Sequence, residues 1–185
     1  TWGDLIAAAG TEVSDSGATQ KLQHAYGGIS DFYLSRLLFG FDMSALSGTV
    51  TAADFNFYQA SSGSYWARLS GASPASNTAI AIADHQDCYD NHDTSLADAW
   101  QIPLLSAGWE RPALNQDGLD YLTGKLGGVG FLSLRFSEDK VGGTKPALIE
   151  SGGIRMADYT GTSFDPYLEI TYGAAAGGVY NSRCS

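Results

Sequence analysis

Between Ser35 and Asp42 the chain reads SRLLFGFD, and its apolar residues alternate with others. Leu37, Phe39 and Phe41 fall on one side of an extended chain; Arg36, Leu38, Gly40 and Asp42 fall on the other. A period of two is what a strand with one face on a core requires. Three large side chains on one face predict the central strand of a sheet.

The same grammar recurs along the chain. Ala53, Phe55 and Phe57 point one way and Asp54, Asn56 and Tyr58 the other. The short glycine-containing link from Asp42 to Gly48 predicts that these first two strands are antiparallel neighbours. Further strands are expected at Tyr65 to Leu69, Ile80 to Ile82, Phe131 to Phe136, Gly153 to Ala157 and Tyr167 to Tyr172, with Leu22 and His24 in a shorter one. Trp100, Ile102 and Leu104 alternate inward, and Pro103, which cannot donate to a ladder, places that strand at an edge. Leu119, Leu122 and Leu126 form one helical stripe. With Asn115 as N-cap and Gly127-Gly128 as stop, they predict a short helix between Leu114 and Leu126 that covers one open end of the core.

Each strand offers two or three large side chains to one face, and each contributes about 1.5–3 kcal/mol when buried. One sheet covers only its own face, so two sheets must share these residues. The expected fold is an all-β antiparallel sandwich of jelly-roll type with one short helix. The 185 residues fit one domain, and 23 glycines with only 16% charged residues suit a turn-rich β protein better than a helical bundle. Residues 1–172 are expected to form the sandwich. Residues 173–185 read as a Gly/Ala linker followed by a tail.

The formal charge of −10 and the scattering of the ten basic residues exclude nucleic acid as a partner and argue against anionic membrane surfaces. No stretch approaches the roughly 20 apolar residues of a membrane span. The chain starts at Thr1 with no visible signal peptide, which suggests a processed protein or a segment of a longer one. Cys88 and Cys184 are open to two readings, a disulfide closing a long loop or two free thiols.

Chemistry-bearing residues concentrate in the loop from Asp84 to Asp98. Asp87, Asp90 and Asp93 are the candidate ligands there, with calcium favoured by the carboxylates. Their spacing matches no calcium loop, and no His-x-x-x-His pair is present, so a solvated loop with Asp and Asn capping turns is preferred and no cofactor is assigned. Glu138-Asp139 and Glu110 beside Arg111 are the candidates for acid/base work, as paired carboxylates in a groove would suit glycoside cleavage. No nucleophile elbow, phosphate loop or dinucleotide fingerprint accompanies them, and no catalytic residue is assigned. Tyr58, Tyr65, Trp66, Tyr89, Trp109 and Tyr159 are candidate sugar platforms or protein anchors. Tyr65 and Trp66, adjacent in a strand, must point to opposite faces. Beyond the linker, Val179, Tyr180, Arg183 and Cys184 are placed to reach a neighbouring subunit, by adding a strand to its sheet edge or through Cys184.

The run from Ser35 to Leu46, followed by Thr49 to Tyr58, resembles the core of DNRLRE-type domains. The ending from Ala157 to Tyr172, ADYTGTSFDPYLEITY, is similar to their closing strand pair, and the helix ahead of Phe131 to Arg135 is similar too. Gly40 and Ala53 are smaller than that pattern expects, and Asp54-Phe55-Asn56 replaces its aliphatic alternation. The resemblance implies a non-catalytic jelly-roll module of secreted, cell-surface or phage-like structural proteins, and the closing motif most resembles virion proteins. The expectation is therefore a structural or assembly module on the surface of a virion or extracellular assembly, such as a capsid decoration, head-fibre or tail protein or a surface filament subunit. Its partners would be protein subunits of the same assembly, with homo-oligomerisation expected. The alternative is a carbohydrate-binding module of a secreted enzyme or adhesin, whose partner is a surface glycan.

Overall fold

The computed structural model describes residues 14, 19–26, 32–61, 65–85, 95–97, 102–104, 106–139, 143–144, 150–157, 161, 163–173 and 178–183. Among these, two antiparallel sheets stack on a shared apolar core, with one short helix at an end. The larger sheet comprises β1 (Thr19–Tyr26), β2 (Phe32–Leu34), β4 (Thr49–Gln59), β7 (Gly108–Glu110), β9 (Glu150–Arg155), β10 (Tyr167–Gly173) and β11 (Gly178–Arg183). The smaller sheet runs in the order β3 (Arg36–Asp42), β8 (Val129–Phe136), β5 (Tyr65–Ala72), β6 (Ile102–Leu104). The helix is α1 (Gln116–Thr123).

The larger sheet is built around β4. Its Gln59 pairs with Gly108 on one edge and with Ile154 on the other. β10 follows that second edge from Thr49 to Asn56, so β9, β1 and β2 continue the sheet past the end of β10. On the first edge residues 108–114 keep one register with β4: Phe57 faces Glu110, Asp54 faces Ala113, and the Leu114 N–H donates to the Ala53 carbonyl at 2.8 Å. Pro112 interrupts this ribbon because it has no N–H to give.

Two expectations about β3 are corrected. It is the outer strand of the smaller sheet, not a central one, and its neighbour is β8 rather than β4. The link after Asp42 is no hairpin because Met43 and Leu46 are buried in the core. Met43 is also tied by backbone hydrogen bonds to the turn before β8: its N–H donates to Gly128 at 2.8 Å, and the Gly127 N–H donates to its carbonyl at 3.1 Å. Burying these two apolar side chains carries the chain across the core from one sheet to the other. β2 passes into β3 through Ser35 alone, so a single run of chain belongs to both sheets.

The alternation itself holds. Leu37, Phe39 and Phe41 of β3 are buried, as are Ala53, Phe55 and Phe57 of β4, Leu132, Leu134 and Phe136 of β8, and Leu168 and Ile170 of β10. Phe55 is the meeting point: its ring centroid lies 5.0 Å from Phe39, 5.9 Å from Phe41 and 5.2 Å from Phe57. Tilted and edge-on pairs at such distances add about 0.5–1.5 kcal/mol each to simple burial.

The expected strand at Ile80 to Ile82 is absent. Asp84, itself buried, accepts from the Ala75 N–H at 3.0 Å and from the Ala81 N–H at 2.6 Å, and Ile82 is left 44% exposed. A carboxylate that captures backbone donors offers the chain a turn in place of a ladder.

The helix is shorter than its sequence pattern, for a visible reason. Leu114 still belongs to the sheet, bridging Ala97, while Asn115 caps the helix by accepting from the Gly118 N–H at 3.0 Å. The same side chain donates to the carbonyls of Ser95 (2.7 Å) and Ala97 (3.1 Å). Opposite it, the Tyr121 hydroxyl reaches the carbonyls of Phe131 (2.6 Å) and Ala72 (2.9 Å) and clamps the helix on β8 and β5.

Gly118 lets the helix approach residues 95–97. A Cβ there would lie 2.5 Å from the Leu96 carbonyl oxygen, which is held by the Asn115 N–H at 2.9 Å. Helix propensity favours alanine by about 1 kcal/mol, but overpacking against fixed backbone costs about 1–3 kcal/mol. Gly118→Ala is thus expected to lower unfolding stability by about 1–2 kcal/mol in urea titration. A stabilised variant would show that the helix and Leu96 are not in this close approach.

Candidate functional site

β3, β8 and β5 place three arginines in one row across the smaller sheet, since Arg36 pairs with Arg135 and Arg135 with Arg68. The row lies on the face opposite the apolar core, yet the side chains of all three are buried. The next row, Ser133 opposite Ser70, is buried as well. The outside of this sheet is a covered polar layer, where alternation alone predicts a wet surface.

The acid/base candidates serve this layer. Asp139 takes Arg36 in a bidentate pair, 2.6 Å from Nε to Oδ2 and 2.6 Å from Nη2 to Oδ1, with both side chains out of water. Arg36 Nη1 also donates to the His85 carbonyl and lies 3.1 Å from His85 Nδ1. A guanidinium has only donors, so Nδ1 accepts and the imidazole proton sits on Nε2. Glu138 turns away from its neighbour and accepts from the Thr144 N–H at 2.8 Å. Glu138 and Asp139 are therefore not brought together in a groove. Glu110 faces Phe57 across the β4–β7 pair on the core side of the sheet, and burial pushes its pKa above the ordinary carboxylate value. Its contribution to stability is present at acid pH and is lost as pH rises through that raised value.

The aromatic candidates divide between the two sheets. Tyr58 and Trp109, opposite each other on β4 and β7, meet edge to face at 5.7 Å and 80°. Two rings not singled out in the sequence complete the cluster: Phe164 lies 4.4 Å from Tyr58, and Tyr167 lies 5.7 Å from Trp109 at 66°. All four are half-buried on the outer face of the larger sheet. Tyr167 fell at the start of an expected strand, but β7, three residues beginning with Gly108, carried no alternation that could have announced Trp109 as its neighbour. Trp66 stands on the other sheet, 42% exposed opposite Pro103 of the edge strand β6. Tyr65 lies in β5 opposite Leu104, and its side chain is outside the described residues, as are Tyr89 and Tyr159.

The stretch after the linker does not leave the domain: residues 178–183 add β11 to the chain's own β10. Val179 is opposite Thr171, Tyr180 opposite Ile170 and Arg183 opposite Tyr167, and Val179 is 69% exposed. Cys184 and the three candidate calcium ligands Asp87, Asp90 and Asp93 lie outside the described residues, as does Cys88.

Comparison of the chain with protein-family models, with curated proteins and with solved structures finds no match. The likeness to DNRLRE-type domains accordingly rests on the motifs quoted above.

Proposed function

We propose that the chain is a non-catalytic structural module at the surface of a virion or other extracellular assembly, joined to further copies of itself through the edge of its larger sheet. The observation that carries this reading is β11. Among the described edge strands β6 carries Pro103, β2 and β3 carry neither proline nor lysine, and β11 is the one with a large apolar side chain more than half exposed. The sequence of β11, GVYNSR, contains neither proline nor lysine, and it sets an exposed valine on the outermost strand. Sheet edges without such guards are the ones that accept another strand.

Light scattering coupled to size exclusion tests it. The expected result is a dimer or closed oligomer, with Val179→Lys weakening association by about tenfold or more and leaving the melting temperature in place. A wild-type chain that stays monomeric over the whole accessible concentration range removes the reading.

The four-ring cluster favours a second reading, a carbohydrate-binding module. Sugar platforms use coplanar exposed rings, however, and these rings meet at 53° to 80°. Edge-to-face packing joins the rings to one another and leaves no flat shelf, so the assembly reading is preferred. Retention on a glycan array by a monomer would reverse that order.

A further inference from the structure

Beside the three arginines, the covered face of the smaller sheet carries a second row in register: Leu38 of β3, Ser133 of β8 and Ser70 of β5. Ser133 and Ser70 are fully buried. Among the described residues neither Oγ finds a hydrogen-bond partner, and the two are not bonded to each other. A third such hydroxyl lies close by. The Leu96 N–H donates to the Leu69 carbonyl at 2.9 Å, which brings Ser95, buried and with an unbonded Oγ, against the edge of β5.

A hydroxyl taken out of water with no partner lowers the folding equilibrium constant by about fivefold to a hundredfold. Two of them facing each other across neighbouring strands therefore call for something that joins them. Residues directly opposite on antiparallel strands hold their Cβ atoms about 4.5–5.5 Å apart. One water, at about 2.8 Å from each of two oxygens, spans that gap. The chemistry matches as well. A serine hydroxyl gives one proton and accepts others, so a pair of them suits a molecule that also does both. A halide only accepts, and a metal cation would sit beside the guanidinium row.

We propose that Ser70 and Ser133 bind a buried water molecule, which bridges their hydroxyls and ties β5 to β8 through side chains as well as backbone. The site lies within one chain and is independent of the assembly reading.

Urea titration of the full chain, of Ser70→Ala, of Ser133→Ala and of the double variant provides the test. Removing one hydroxyl leaves the water short of a partner, so each single variant is expected to lower the folding equilibrium constant by about fivefold. The second removal then costs little, and the double variant is expected within about twofold of the singles. Dry hydroxyls behave oppositely, because each alanine then removes an unmet polar group. Single variants that equal or exceed wild type overturn the site, as do losses that simply multiply in the double variant. A crystal structure of the same chain, grown with sodium bromide as the salt, gives a second and direct readout. The expected result is a light atom about 2.6–3.1 Å from both Oγ atoms. An anomalous bromide peak at that place, or no atom between the two hydroxyls, overturns the proposal whatever the titrations give.

Discussion

Phe55→Ala is expected to remove about 3–5 kcal/mol of unfolding stability. Phe55 touches aromatic rings from both sheets, Phe39 and Phe41 on one side and Phe57 beside it. The loss combines the transfer free energy of the ring with a cavity that three fixed neighbours cannot close. For a domain of this size that corresponds to a fall in Tm of about 6–20 °C. Since whole domains are stable by only about 5–15 kcal/mol, the variant sits near the edge of folding. Denaturant titration against Phe55→Leu, which refills part of the space, is the informative comparison. A loss below about 1 kcal/mol would mean the two sheets do not meet at this ring.

Asp139→Ala is the second large effect, also about 3–5 kcal/mol, and its cause is electrostatic. The variant leaves the Arg36 guanidinium buried with its carboxylate partner gone, while its bond to the His85 carbonyl remains. Desolvation that the carboxylate offset is then uncompensated. Replacing both partners by apolar residues of similar length, Arg36→Met with Asp139→Leu, is expected to recover much of the loss, because neither residue then carries a charge into the interior. If the single variant melts with wild type, the pair is not shielded as the geometry has it. If the double variant is no better than the single one, the damage is to packing rather than to charge.

These two positions divide what could be read from the sequence from what could not. The Phe55 environment was legible: alternation in β3 and β4 placed the same inward residues that the structure buries. Asn115 and the stripe through Leu122 likewise gave the helix and its cap. The Arg36–Asp139 pair was not legible. Alternation assigns Arg36 to the far face of its strand, but it carries no information about whether a distant loop will cover that face. Pairing suffered similarly. Short links predict neighbours, and the Asp42 to Gly48 link misled because two of its residues, Met43 and Leu46, are themselves core. In the candidate site, Tyr58 and Trp109 were flagged as aromatics, but Phe164, in the turn before β10, and Tyr167 joined them only through tertiary placement that no local pattern encodes.

The passage of β2 into β3 through Ser35 has a consequence for how the chain is made. The strand that leaves the ribosome with β3 must wait for β8, about ninety residues downstream, before its edge is satisfied, and β1 must wait for β9 while Thr19 and Arg155 are separated by 136 positions. Until then the phenylalanines of β3 and β4 emerge with neither sheet complete. The interval before either sheet is complete is therefore the stage at which exposed apolar strands are most open to wrong association.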